Sequence, residues 1–229
     1  MRWKKFCIPA VILLLTACTR EAKISIIPKD YENDYSTVHM QILSVDIPDA
    51  PEFSKSLNAA LMQEAEDAAA GFDADAGTAT GTNGEKSIFD TTQTTHYNKN
   101  NFISTVEEQY TYTGGAHGMT MRKSHNIDTL AQQEITLRDL FSEEGYESTL
   151  NRMIREVREK HPENYSDLWE EPIIKPSHQQ DFYLTDTDLV IYYQPYALSY
   201  YARGFVEFPL RLTELRGYLK EEYYRLVPE

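Results

Sequence analysis

The chain has 229 residues, with 36 acidic against 22 basic side chains and a formal net charge of −14 at pH 7. Because binding to nucleic acid needs a basic face, a chain this acidic excludes nucleic acid as a partner. The length suffices for one large domain or two small ones, each held by a hydrophobic core.

The N-terminus has the pattern of a bacterial lipoprotein signal. A basic start precedes an apolar run at residues 8–15, which is too short to span a bilayer permanently. The run ends in Leu-Thr-Ala-Cys, which resembles a lipobox; the alternative is an ordinary secretory cleavage site with a chance cysteine. We predict a signal peptide over residues 1–17, lipidation of Cys18 and an extracytoplasmic protein anchored to a bacterial membrane, the outer membrane in a diderm organism.

Processing before Cys18 would decide two further properties. Cys7 would leave with the signal peptide, so no thiol would remain for disulfides, zinc or nucleophilic catalysis. The signal peptide also holds three of the 22 basic residues and no acidic one, which leaves 19 against 36 and a net charge of −17. That charge favours a cationic partner and speeds its approach, although it serves solubility equally well.

The order of apolar patterns predicts an α+β fold, in which a few helices pack on an antiparallel β-sheet. Residues 18–30 are interpreted as a tether that leads into a first strand. A helix is predicted over residues 52–70 and is closed by Gly71, and the glycine-rich residues 71–86 are interpreted as a mobile loop.

The rest of the chain alternates strand and helix patterns. Strands are predicted around residues 88–97, 102–112, 119–127, 182–193 and 205–210, with an acidic turn inside the fourth. Thr136 and Asp139 form an N-cap pattern for a short helix, a longer helix is predicted from Tyr146 to Lys160, and Thr213 caps a terminal helix. We divide the chain into an N-terminal half, residues 31–118, and a C-terminal half, residues 119–229.

The sequence Thr-Gly-Gly-Ala-His-Gly, residues 113–118, lies between two predicted strands. A histidine among glycines could be a metal ligand or a catalytic base, but the chain has no HxH, HExxH or Cys/His cluster and no G-x-S-x-G serine. We interpret the stretch as a turn, in which Gly114, Gly115 and Gly118 supply backbone freedom and His117 hydrogen-bonds across it. No metal, cofactor or catalytic residue is predicted.

Tyrosines are concentrated near the C-terminus, where nine of the sixteen fall between Tyr183 and Tyr224. Tyrosine on a proline-stiffened loop gives a large contact area at low entropic cost, so we predict that one such loop, which Gly204 closes, binds a partner. The predicted binding residues are Pro195, Tyr196, Tyr200 and Tyr201. The alternative is that these rings cover the sheet edge or fill the core.

Four motifs in this order resemble a known family of envelope domains. They are YTGGAHG at residues 112–118, LRDLF at 137–141, FYLTDTDLVIYYQPY at 182–196 and the ending at 205–215. Over roughly residues 24–226 the chain is similar to the paired domains of unknown function of RsiV, the lysozyme-sensing anti-sigma factor, and of PdaC-type peptidoglycan deacetylases. The resemblance implies an α+β extracytoplasmic module that is not itself an enzyme and, in the RsiV branch, one that binds lysozyme directly.

The chain departs from these relatives in ways that shape the expected function. No segment ahead of the apolar run could hold a sigma factor, a lipobox replaces the membrane helix, and no deacetylase domain is found. We therefore predict a lipid-anchored binding protein that is not an enzyme. Its expected partner is lysozyme or another cationic envelope protein, which it would serve as decoy, inhibitor or accessory sensor. The alternative is a cell-wall module that binds peptidoglycan glycan without a protein partner.

Overall fold

The computed structural model describes residues 21–78, 85–142, 145–174 and 180–229. The predicted signal peptide and Cys18 lie outside the described residues, and so do residues 79–84 of the predicted mobile loop. Within the described ranges, no helix is both long enough and apolar enough to cross a membrane.

The larger of two sheets has six strands, in the spatial order β1 to β6. They are β1 (Lys23–Glu32), β2 (Ser36–Asp46), β3 (Ser87–Lys99), β4 (Phe102–Tyr112), β5 (Met119–Asp128) and β6 (Gln133–Glu134). All neighbours pair antiparallel except β2 and β3, which run parallel because helix α1 (Pro51–Ala76) carries the chain back between them. The α+β prediction is confirmed, with this parallel pair as an addition to the antiparallel sheet.

The predicted tether is shorter than residues 18–30, because β1 begins at Lys23 and pairs with β2 along its whole length. The sequence pattern missed this strand because β1 is an edge strand and most of its side chains remain exposed, which weakens the alternation of apolar residues. The large sheet also crosses the predicted division between residues 118 and 119, since β4 and β5 pair on either side of it.

The predicted end of α1 at Gly71 is wrong, since the helix continues to Ala76. Phe72 is buried, with its ring centroid 5.3 Å from that of Phe89, and Ala76 belongs to the same core cluster. Burial of a phenylalanine contributes roughly 1.5–3 kcal/mol, whereas a glycine inside a helix costs about 1 kcal/mol relative to alanine. The tertiary contact therefore outweighs the local signal for a helix end.

Gly71→Ala is expected to raise the free energy of unfolding by about 0.5–1 kcal/mol, because alanine loses less conformational entropy in a helix. No atom outside the local helix backbone lies within 4 Å of the position that the new Cβ would take. Urea denaturation followed by circular dichroism measures the change. A loss of stability would contradict a continuous helix at this residue.

The smaller sheet is antiparallel and consists of β7 (Phe182–Leu184), β8 (Asp188–Tyr193) and β9 (Val206–Arg211). Helix α2 (Tyr146–Lys160) has the predicted bounds, and its residues Leu150 and Ile154 share the largest core cluster with this sheet. Short helices follow at α3 (Pro162–Tyr165) and α4 (Leu212–Leu215), and 3-10 helices occur at Leu137–Leu140, Tyr201–Arg203 and Glu221–Leu226.

Two predicted helix caps have different outcomes. The N-cap at Thr136 is confirmed, because the Asp139 carboxylate accepts hydrogen bonds from its backbone N–H at 2.9 Å and its hydroxyl at 2.6 Å. Thr213 does not cap α4. It lies inside that helix, and Arg211 occupies the N-cap position.

Buried polar contacts connect the two sheets. The Ser104 hydroxyl accepts a hydrogen bond from the backbone N–H of Leu184 at 2.9 Å and donates one to Asn126 at 2.6 Å. The Asn126 side chain in turn donates to the carbonyl of Phe182 at 2.9 Å. Because unpaired polar groups at these buried positions would be costly, the three bonds fix how the small sheet sits on the large one.

Candidate functional site

The glycine-rich turn and the tyrosine loop, which the sequence presents as separate features, meet in the fold. The His117 ring stacks on the Tyr201 ring, with centroids 4.5 Å apart and an interplanar angle of 11°. Tyr201 also stacks on Tyr196, with centroids 5.6 Å apart and an angle of 28°. The tip of the β4–β5 hairpin therefore contacts the loop between β8 and β9.

The turn needs its glycines for two different reasons. Gly114 and Gly115 have φ values of 98° and 103°, in the region that side-chain-bearing residues avoid. Gly118 has no such conformation, but a Cβ there would lie 2.4 Å from ring atoms of Tyr110. His117 does not bond across the turn as predicted. Its Nδ1 donates to the carbonyl of the adjacent Gly118 at 2.8 Å, and its ring is what reaches the other loop.

Gly118→Ala is expected to lower the free energy of unfolding by about 1–3 kcal/mol, because the added methyl must displace the Tyr110 ring. Gly217→Ala is the matched control, since nothing lies within 4 Å of its Cβ position. Urea midpoints of the two variants measure the difference. Equal midpoints would show that the Tyr110 ring moves aside without lowering the free energy of unfolding.

The tyrosine loop exposes two of its four predicted binding residues. Tyr196 and Tyr200 are 48% and 49% exposed, Tyr201 is half-buried, and Pro195 is buried. Tyr196 has a φ of 68°, a left-handed conformation that costs a bulky residue about 1–2 kcal/mol. Strain of this kind clusters at binding sites, where the surrounding structure holds a side chain in place for contact.

A second segment holds the loop from outside and adds an aromatic residue to it. The Ser199 hydroxyl donates to the carbonyl of Asp167 at 3.0 Å, and Arg203 forms an ion pair with the Asp167 carboxylate at 3.2 Å. The backbone N–H of Trp169 donates to the carbonyl of Leu198 at 2.9 Å. Trp169 is 55% exposed, so these bonds place a third exposed aromatic residue beside the loop.

We call these five side chains the aromatic surface: His117, Trp169, Tyr196, Tyr200 and Tyr201. Sequence reasoning missed Trp169, because it stands alone in a polar segment with prolines on both sides. Its only local signal is that a large aromatic residue lies in a segment with no apolar periodicity.

Beneath the aromatic surface, Arg122 joins the two sheets. Its guanidinium pairs with Glu108 of β4 at 2.7 Å and with Glu207 of β9 at 2.6 Å, and its side chain is only 20% exposed. The guanidinium carbon also lies 3.9 Å from the ring centroid of Phe205, within range of a cation–π contact. The Gln194 side chain accepts from the backbone N–H of Arg122 at 2.9 Å and donates to its carbonyl at 2.7 Å, which ties the start of the loop to β5.

Two rings complete this support. The Tyr183 hydroxyl donates to Glu207 at 3.2 Å, and the His96 ring stacks on Tyr183 with centroids 4.2 Å apart. Burial, followed by the charge of Glu207, raises the pKa of Tyr183. Burial, followed by the charge of Arg122, lowers the pKa of His96. Both shifts favour the neutral form at neutral pH, so Arg122 and the two glutamates carry the charge of this layer.

The histidines nearest to His117 in sequence do not join it. His125 is buried on β5 and bonds to Glu134 at 2.8 Å, whereas His96 stacks on Tyr183. In the part of the chain that the structure describes, no group of three or more His, Cys, Asp or Glu side chains could hold a metal ion.

Comparison with known proteins finds two matching family models. Residues 30–120 match the model described as deacetylase PdaC, and residues 138–213 match the model described as a protein of unknown function, DUF3298. The turn 113–118 falls in the first segment, and the tyrosine loop falls in the second. Each match covers less than half of the chain.

One curated relative is the peptidoglycan-N-acetylmuramic acid deacetylase PdaC of Bacillus subtilis. It is 26% identical over 132 residues, which cover 56% of this chain and 28% of the relative. The chain thus spans little more than a quarter of that protein's length. The match overturns the prediction that the protein is not an enzyme, because the relative and the matching family model are both named as a deacetylase. That prediction took the resemblance to PdaC-type proteins to cover only a module beside the enzyme domain, and it relied on the absence of a recognisable catalytic motif.

Two crystal structures share the fold. A DUF3298 family member from Bacteroides fragilis superposes with a TM-score of 0.68 at 15% identity, covering 89% of this chain and 96% of that one. A DUF3298 family protein from Pseudomonas aeruginosa superposes with a TM-score of 0.63 at 16% identity, covering 92% and 99%. At these identities the likeness concerns the fold alone.

Proposed function

We propose that the protein is a lipid-anchored, extracytoplasmic module that binds the glycan strands of peptidoglycan on its aromatic surface and serves their deacetylation. The observation that carries the proposal is the convergence of three exposed aromatic side chains, Trp169, Tyr196 and Tyr200, from two separate segments. The similarity to a named peptidoglycan deacetylase supplies the substrate class. The lipid anchor is supported by the lipobox sequence that ends at Cys18.

The chemistry of the surface suits a sugar chain. Aromatic rings offer flat apolar faces to the C–H faces of pyranose rings, and tyrosine hydroxyls remain free for sugar hydroxyls. The stack of His117, Tyr201 and Tyr196 orders the site before a ligand arrives, which lowers the entropic cost of binding. An anionic polymer of phosphates is a poor alternative ligand, since the protein is strongly acidic.

Sedimentation with insoluble purified peptidoglycan tests the proposal. Residues 19–229 are incubated with the wall material at low and at high salt, and acetate release is measured in the same samples. We expect saturable co-sedimentation that persists at high salt, because stacking on neutral sugars is not screened by ions. Absence of co-sedimentation at both salt concentrations would contradict glycan binding. Acetate release would show that the chain itself carries the deacetylase activity.

The second candidate partner is lysozyme or another cationic envelope protein. The observation that favours it is the net charge of −17 expected after signal-peptide removal, together with exposed tyrosine and tryptophan of the kind that dominate protein interfaces. Calorimetry with lysozyme at two salt concentrations discriminates the two candidates. A one-to-one complex that survives physiological salt would support this partner, whereas heat that vanishes with salt would reflect only the attraction of opposite charges.

A further inference from the structure

A small cleft lies between α1 and the face of the large sheet that carries Glu107. Strand alternation points Glu107 and Lys123 toward α1, whereas Glu108 and Arg122 point toward the small sheet and the aromatic surface. The cleft has a volume of about 90 Å³. We call it the α1 cleft. It is thus separated from the aromatic surface by the thickness of the sheet.

Small residues of the helix create the cleft. Ala65 and Ala68 of α1 line it, opposite the ring of Phe89 on β3. A larger side chain at either alanine would fill the space, as Leu61 and Leu57 do one and two turns before Ala65 along the helix. The walls are therefore apolar and lie close together, with room for a group about as large as a methyl and a carbonyl.

The floor of the cleft is polar, because Glu107 and Gln109 line it. Glu107 accepts a hydrogen bond from the Gln93 side chain at 2.6 Å, and burial raises the pKa of Glu107. Gln93 lies behind Glu107 and does not itself line the cleft. Gln109 does line the cleft, and among the described residues its carboxamide has no partner. Because the half-exposed Gln109 carboxamide is not used within the fold, it offers both a donor and an acceptor to a ligand.

The mouth of the cleft is polar as well. Lys123 of β5 and Glu64 of α1 form an ion pair there, and each side chain remains about half exposed. An ion pair on the rim contributes little stability, but its charged groups can bind hydroxyls of a ligand whose apolar part enters the cleft.

We propose that the α1 cleft binds the acetamido group of an N-acetylated amino sugar. The carbonyl of a secondary amide accepts from the Gln109 amide, its N–H donates to a carboxylate oxygen of Glu107, and its methyl lies between Ala65, Ala68 and Phe89. The site is distinct from the aromatic surface, and the inference rests on the proposed function only for the choice of a sugar as the carrier of the amide. A terminal peptide bond carries the same chemistry and is separated by the test.

The first measurement titrates residues 19–229 with N-acetylglucosamine, glucosamine and D-alanyl-D-alanine, followed by amide shifts in NMR spectra. We expect saturable shifts near Glu107 with N-acetylglucosamine, and binding at least about tenfold weaker for glucosamine, which leaves the floor unpaired. Equal affinity for the two sugars would overturn the proposal. Binding of the dipeptide alone would overturn the choice of a sugar. The absence of shifts with all three compounds would overturn the proposal that the cleft binds an amide.

The second measurement uses variants that separate this site from the aromatic surface. Ala65→Leu fills the cleft and is expected to abolish the shifts, whereas Ala70→Leu on the exposed side of the same helix is the matched control. Glu107→Ala is expected to weaken binding about tenfold, and Glu107→Gln, which keeps a side-chain oxygen as acceptor, is expected to retain most of it. Trp169→Ala is expected to leave N-acetylglucosamine binding in the cleft unchanged. Unaltered binding by Ala65→Leu would place the sugar elsewhere, whatever the outcome of the peptidoglycan sedimentation.

Discussion

Replacement of Trp169, Tyr196 and Tyr200 together by alanine is expected to weaken peptidoglycan binding by at least about 100-fold. Aromatic anchors at the centre of a binding surface commonly contribute more than 1 kcal/mol each, and each 1.4 kcal/mol corresponds to a tenfold change in affinity. All three side chains are about half exposed, so their removal leaves the core intact. Co-sedimentation with peptidoglycan over a range of protein concentrations measures the loss.

Tyr35→Ala is the matched control for this triple variant. Tyr35 is 58% exposed but lies in the turn between β1 and β2, outside the aromatic surface. It is expected to bind like the unaltered protein, and urea denaturation should show all variants to be folded. If the triple variant binds normally, or if Tyr35→Ala weakens binding as much, the glycan does not bind on this surface.

Arg122→Ala is expected to lower the free energy of unfolding by about 1–3 kcal/mol, because it removes charge-assisted hydrogen bonds of a guanidinium that is only 20% exposed, although Glu108 and Glu207 themselves are 41% and 38% exposed. Glu108 and Glu207 would remain close together without their cation, and Phe205 would lose its cation–π contact. Because these partners belong to different sheets, the variant should also loosen the attachment of the small sheet. Denaturation in urea measures the loss.

Arg152→Ala provides the matched comparison for Arg122→Ala. Arg152 pairs with Glu156 one helical turn away, and both side chains are well exposed, so the expected change is within about 0.5 kcal/mol. Arg122→Met combined with Glu108→Gln and Glu207→Gln should recover part of the lost stability, because no unpaired charge remains. Similar losses for Arg122→Ala and Arg152→Ala would show that the Arg122 network does not connect the sheets energetically.

Local patterns sufficed wherever the helix or strand is set by its own residues. The apolar stripe of α2, closed by Pro162, gave its bounds from Tyr146 to Lys160, and the alternation in β4 marked that strand from Phe102 to Tyr112. The capping pair Thr136 and Asp139 interacts over only three residues, so it could also be predicted from the sequence. In these cases the contacts that decide the structure lie within the window in which periodicity is visible.

Prediction failed where a distant residue decides the local structure. Gly71 is a helix-ending signal in sequence, but the buried contact of Phe72 with Phe89 carries α1 past it. Residues 23–32 lack a clear apolar alternation, yet they form a strand because every one of them pairs with a residue of β2. The prediction that the protein is not an enzyme was also wrong, because it took the PdaC-like motifs to mark only a module beside an enzyme domain, whereas the relative and the matching family model are both named as a deacetylase.

The sequence by itself determined the α+β class, the acidic composition and the two conspicuous stretches, the glycine-rich turn and the tyrosine loop. Only the tertiary structure decided that His117 stacks on Tyr201, that Trp169 joins the same surface and that Arg122 lies beneath it. The reason is that periodicity reports which face of a strand or helix is buried, whereas a binding surface is made by loops from separate strands. Their meeting depends on how the small sheet docks on the large one, and the buried bonds of Ser104 and Asn126 fix that docking.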